Sequence, residues 1–226
     1  MTTPRRDFLG WLGATALVGA TPSVVLGAPA IPRATTTPDP APGRDDWDMS
    51  WTRRLTGSRK LVFDAPELAE GDPLLRAHVI ARQYADVLGI PVERQSRVLI
   101  LRHNAIHFAM NDGYWARFGL GAETGFSDGS GAGVRLNPVR AARDEVPEPF
   151  RQLTLEAFQR SGGIVLACHL ALQHYVAPRY AATGLSEDAA LEAAVADVLP
   201  GITMQPSGVF AVAVAQDAGC AFVPVS

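Results

Sequence analysis

Only two cysteines, Cys168 and Cys220, occur among 226 residues. That is too few for a disulfide-stapled scaffold, and with no CxxC pair there is no zinc-ribbon pattern. No run of Lys and Arg is present, and the net charge is −3. A mildly acidic chain offers no electrostatic case for nucleic acid or an anionic lipid surface. No HxxxH-plus-acid motif is present, nor a carboxylate pair whose spacing argues for glycoside hydrolysis. Ser161-Gly162-Gly163 and Ser207-Gly208 are not GxSxG elbows, so a hydrolase triad has no anchor. Gly129-Ser130-Gly131-Ala132-Gly133 follows no predicted strand and opens no predicted helix, which removes the helix dipole a phosphate loop depends on.

The N-terminus is better supplied. Arg5-Arg6-Asp7-Phe8-Leu9 precedes a short apolar, glycine-dotted run, and Ala28-Pro29-Ala30 offers a small-x-small cleavage site. This pattern resembles a twin-arginine export signal over residues 1–30. The run is interrupted by Pro22 and is too short for a span, which needs about 20 strongly apolar residues. The expectation is a periplasmic or otherwise exported protein, soluble after cleavage and without a membrane segment in its mature form. Residues 31–57 read as a Pro/Thr-rich linker and lead-in, and residues 58–226 as one α/β domain.

Within that domain, β-rich runs at Lys60–Phe63, Arg97–Leu101, Gly163–Ala167, Ile202–Gln205 and Ala221–Val223 alternate with helical patterns. Several runs are continuously apolar, as strands covered on both faces are. Helices are expected over 73–88, 105–118, 149–160 and 187–198, the last capped by Ser186. Ser207-Gly208-Val209-Phe210-Ala211-Val212-Ala213-Val214 alternates like a strand. Ser207 as N-cap, Gly219 as C-terminal glycine and the crossover a parallel strand requires all favour a helix instead. The predicted fold class is α/β: three α/β/α layers around a mainly parallel five-stranded sheet. The segment 119–137 is expected to be a long glycine-rich loop.

In such sheets ligands collect beyond the carboxyl ends of the strands. That rule gathers Arg102, His103 and His107 after the second strand, and Cys168, His169 and His174 after the third. His78 falls elsewhere. Cys220 starts the last strand, so the two cysteines would lie on opposite rims, about 15 Å apart at strand geometry. A disulfide needs α-carbons within about 7 Å, so Cys220 reads as a small buried hydrophobe. For Cys168 three uses compete. It is a packing residue, a nucleophile whose thiolate is favoured by a helix N-terminus and neighbouring imidazoles, or part of a metal set with His103, His107 and His169. Arg102 could orient an anion. No cofactor is otherwise implied.

These residues carry a resemblance. Leu101-Arg102-His103-Asn104-Ala105, Phe108-Ala109-Met110-Asn111-Asp112, Asn137-Pro138, Ala167-Cys168-His169-Leu170, Pro206-Ser207-Gly208-Val209-Phe210 and Gln216-Asp217-Ala218-Gly219-Cys220 resemble the DsrE/DsrF-like family of sulfur-relay proteins, in its exported branch. The resemblance spans residues 58–226. It implies a homo-oligomer in which Cys168 carries sulfur as a persulfide. The partner would be a small sulfur compound or a sulfur-donor protein, and any enzyme activity would be sulfurtransferase-like. Competing expectations are a non-catalytic periplasmic binding module for a metal or small ligand, and an oligomeric interaction protein.

Overall fold

Every one of the five β-rich runs forms a strand in the computed structural model, which describes residues 47–128, 130–141 and 152–226. The strands are β1 (Arg59–Ala65), β2 (Gln95–Leu101), β3 (Ile164–Cys168), β4 (Ile202–Gln205) and β5 (Ala221–Pro224). They form one sheet in the order β4-β3-β2-β1-β5, and every pairing is parallel. All seven residues of β2 are buried, which explains its apolar run: a central strand with both faces covered has no solvent side to pattern.

Alternation along the strands feeds two cores. Leu61, Phe63, Leu99, Leu101, Val165 and Ala167 face one, whereas Val62, Val98, Ile100, Ile164 and Leu166 face the other. The first is covered by α1 (Asp72–Leu88), by a helical stretch over residues 169–181 here named α5, and by α6 (Glu187–Ala196). The shorter helices α2 (Asp112–Phe118), α3 (Leu120–Thr124) and α4 (Leu155–Arg160) precede β3. The second core is covered by α7 (Gly208–Asp217), which presents Ala211 and Ala215 one turn apart. The result is a three-layer α/β/α fold around an all-parallel sheet.

The second face also takes a contribution from the lead-in. A 3-10 turn at Ser50–Arg54 buries Trp51, 1% exposed, and Leu55 follows it into the same core. The packed domain therefore reaches back beyond residue 58, where Pro and Thr give way to apolar side chains. The expected export signal and residues 31–46 lie outside the described residues. Among the described residues no helix is long and apolar enough to cross a membrane.

The helix expected over 105–118 is broken. A 3-10 segment spans His103–Ala109, Met110 then turns extended and bridges Val198, and α2 begins afresh. Asn111, expected inside that helix, caps α2: its Oδ1 accepts from the Tyr114 N–H at 2.9 Å and its Nδ2 donates to Asp197. An Asn side chain competes for backbone donors, so it favours the start of a helix over its middle. Residues 119–128 and 130–137 are more ordered than their composition suggests. They contain α3 and a bridge between Ser127 and Gly133, with Gly121 packed so closely that a Cβ would lie 2.2 Å from the Val134 carbonyl oxygen. Asn137, fully buried, closes the region by donating to the carbonyls of Phe108 and Met110. The helix expected over 149–160 starts at Leu155, capped by Thr154; residues 149–151 lie outside the described residues.

Candidate functional site

The connections leave β3 and β4 toward opposite faces. After β3 the chain enters α5 on the first face, and after β4 it enters α7 on the second. Adjacent strands whose exits diverge leave a crevice at their carboxyl ends. Cys168 and Gln205, the last residues of β3 and β4, are register partners at that point. An open cavity of about 470 Å³ occupies the crevice, bounded by Arg102, His103, Cys168, His174, Tyr175 and the Ser207–Val209 turn.

Cys168 sits where β3 hands over to helix. It is the N-cap of α5, 5% exposed, and its Sγ accepts from the Ala171 N–H at 3.3 Å. The Ala171 N–H and the start of α5 thus both point at the sulfur. Across the crevice Ser207 caps α7, its Oγ accepting from the Phe210 N–H. The first-turn N–H groups of Gly208 and Val209 have no intrahelical acceptor. Two helix starts therefore converge on one volume.

Arg102 adds a fixed positive charge. Its Nε and Nη2 fork onto Asp64 at 2.7 and 2.8 Å, and Asp64, on β1, is only 6% exposed. The Asp64 hydrogen bond holds the guanidinium above its ordinary pKa against the opposing pull of burial, and the negative charges of Asp64 and Glu67 act in the same upward direction. Nη1 lies outside the fork. Gly208 is required beside this side chain, since a Cβ there would fall 2.5 Å from the Arg102 Cβ. Asp64→Ala is expected to cost about 1–3 kcal/mol, below the range for a fully buried pair because the Arg102 side chain is 28% exposed. Urea denaturation of the two proteins at neutral pH measures it.

His103 holds a left-handed backbone, φ 50°, immediately after β2. Its Nδ1 lies 2.8 Å from Glu67 and its ring packs edge-on against Tyr175 at 4.8 Å. Strain of this kind in a non-glycine residue persists only where the surroundings enforce it. The other non-glycine residues with positive φ among those described are Ala69 and Glu70, in the connection that follows β1. Strain thus gathers on the carboxyl side of the sheet. Opposite His103, a π-helical turn at Leu172–Val176 interrupts α5 and carries His174 and Tyr175, which line the cavity. Such turns insert one residue and re-aim the side chains around it.

The structure thus gathers Cys168, Arg102 and His103 from the expected set, together with His174. It does not gather the rest. His169 begins α5 half-buried, its ring 5.3 Å from Trp47 of the lead-in. His107 is 4% exposed, and its Nδ1 lies 3.0 Å from the Tyr114 hydroxyl. Burial and the nearby Arg179 charge lower its pKa to about 4. The metal set of His103, His107, Cys168 and His169 is therefore not assembled, and no group of three such ligands occurs among the described residues. The reason is the 3-10 geometry of His103–Ala109: at three residues per turn, positions four apart point about 120° away from each other, so the two rings take different environments. Both cysteines are free thiols in separate cores. Asp64, Glu67 and Tyr175 were not legible as site residues.

No protein-family model and no curated protein matches this chain. Among solved structures, it is similar to a protein of unknown function from Methanobacterium thermoautotrophicum, at 16% identity, covering 74% of this chain and 99% of that one, with a TM-score of 0.40.

Proposed function

We propose that this protein handles sulfane sulfur, with Cys168 as the acceptor. One observation carries the reading: Cys168 borders the crevice on which two helix starts converge, beside the Arg102 guanidinium that Asp64 holds in place. The resemblance to sulfur-relay proteins at Ala167-Cys168-His169 supports the same role. The thiol first loses its proton to water. The thiolate then attacks the outer sulfur of an anionic donor such as thiosulfate, forming a Cys–S–S⁻ persulfide. The donor's sulfur–sulfur bond breaks and its electron pair leaves with sulfite. Negative charge rises at one place in this step, and fixed dipoles that already point there lower its cost. Arg102 and the Gly208 and Val209 N–H groups are placed to orient the donor's oxyanion.

Mass spectrometry after exposure to thiosulfate or polysulfide tests the proposal. A one-sulfur mass increase is expected in the parent protein and in Cys220→Ser, and none in Cys168→Ser. An adduct that survives Cys168→Ser overturns it, and so does no adduct in any of the three.

A non-catalytic ligand-binding role for the same crevice is favoured by a different fact, the 5% exposure of Cys168. Alkylation of Cys220→Ser across pH separates the two roles. A thiol that reacts at neutral pH supports transfer, and one that stays inert supports binding.

A further inference from the structure

The opposite rim of the sheet holds a second cavity, of about 490 Å³, at the amino end of β2. Its walls include Leu74, His78, Arg82, Arg97, Phe158 and Arg160. Arg97 is the unusual member. It is 3% exposed, on a central strand, and lies 5.2 Å over the Phe158 ring. Its Nη2 donates to the Ser161 carbonyl and hydroxyl, but its Nε is buried with no acceptor. The Arg76, Arg82, Arg102, Arg140 and Arg179 side chains each lie within ion-pair distance of a carboxylate. No such partner is found for Arg97 among the described residues; Glu93 is the one acidic residue in the wall and acts on it only at longer range.

A guanidinium stays charged in proteins, so burial cannot be relieved by deprotonation. A buried charge with no counter-charge is costly, and one missing partner accounts for it. His78 reports the same field: burial lowers its pKa first, and the charges of Arg82 and Arg97 lower it further. Arg97, Arg160 and the His78 imidazole thus line one volume with Glu93 and with Arg82, which is paired to Asp86, and Leu74 and Phe158 form an apolar wall.

We propose that this cavity is an anion site for a small molecule carrying a phosphate or carboxylate group, with the oxyanion on Arg97 and the apolar portion against Phe158 and Leu74. The site is independent of any chemistry at Cys168. Its size falls within the range of small-ligand pockets.

Calorimetric titration of the full chain with phenyl phosphate and with benzoate, at matched ionic strength, tests it. Saturable binding of at least one probe is expected, weakened about tenfold or more by Arg97→Met. Because Arg97 is buried, far-UV circular dichroism checks that variant's fold. Arg160→Gln, at the exposed edge of the cavity, provides a second variant that leaves the core intact, with a severalfold loss expected. Absence of saturable binding by either probe overturns the site, as does binding that neither variant weakens.

Discussion

Trp51→Ala is expected to remove about 3–5 kcal/mol of stability, the usual cost of deleting a large buried aromatic side chain. Trp51 is 1% exposed and packs among Val62, Val98, Ile100 and Ile164 on the sheet face that α7 covers. One helix cannot shield five strands alone. The indole fills the uncovered part, and its loss leaves a cavity lined by strand residues with no way to collapse. Trp51→Phe should cost far less. The Trp51 Nε1 is buried with no acceptor, so the smaller ring gives up volume but also removes an unpaired donor worth about 1–3 kcal/mol. Chemical denaturation of both variants measures the difference. A fragment beginning at residue 58, which lacks Trp51 and Leu55, should expose this face and associate in solution. A fragment that is monomeric and as stable as the full chain would show that the lead-in contributes nothing.

Acid should destabilise the fold through His107. Its ordinary pKa is 6.5, which is retained on unfolding, whereas burial and Arg179 lower the folded value to about 4. Between these values the unfolded chain binds the proton and the folded chain does not, so stability falls as pH falls. The contribution is fully present above pH 6.5 and is lost by about pH 4. At about 1.4 kcal/mol per pH unit, the loss is about 3 kcal/mol. Urea titrations at pH 7 and near pH 4 should show it. The two measurements should lie closer together in His107→Gln by that amount, even though the variant starts lower at pH 7 because the Tyr114 hydroxyl loses its partner. An unchanged pH dependence in the variant would assign the acid sensitivity elsewhere.

His107 also shows why the site was only partly legible. In sequence it differs little from His103: both follow β2 and precede the same aromatic stretch. The first ends in a dry pocket beside Tyr114, the second on the crevice against Glu67 and Tyr175. What separates them is the 3-10 winding of His103–Ala109, which turns residues four apart to different sides and ends where the chain pairs with residues 197–199. A pairing with a segment 88 positions away leaves no local periodicity to read. Asp64 was missed for a similar reason. It lies inside an apolar strand, and nothing nearby announces that its partner is Arg102, 38 residues on.

Local chemistry did determine the elements. The five strands, the caps Ser186 and Ser207, and the helical state of the alternating valines in α7 follow from apolar runs, side-chain oxygens and the crossover that parallel pairing demands. These are short-range properties, which a linear string carries in full. Tertiary structure alone decided which side chains share a volume. It locked Arg102 onto Asp64, withdrew His107 and His169 from the crevice, and brought Trp51 into the core. Those outcomes depend on which faces are left to cover once the sheet has formed, and that is a property of the assembled layers rather than of any segment.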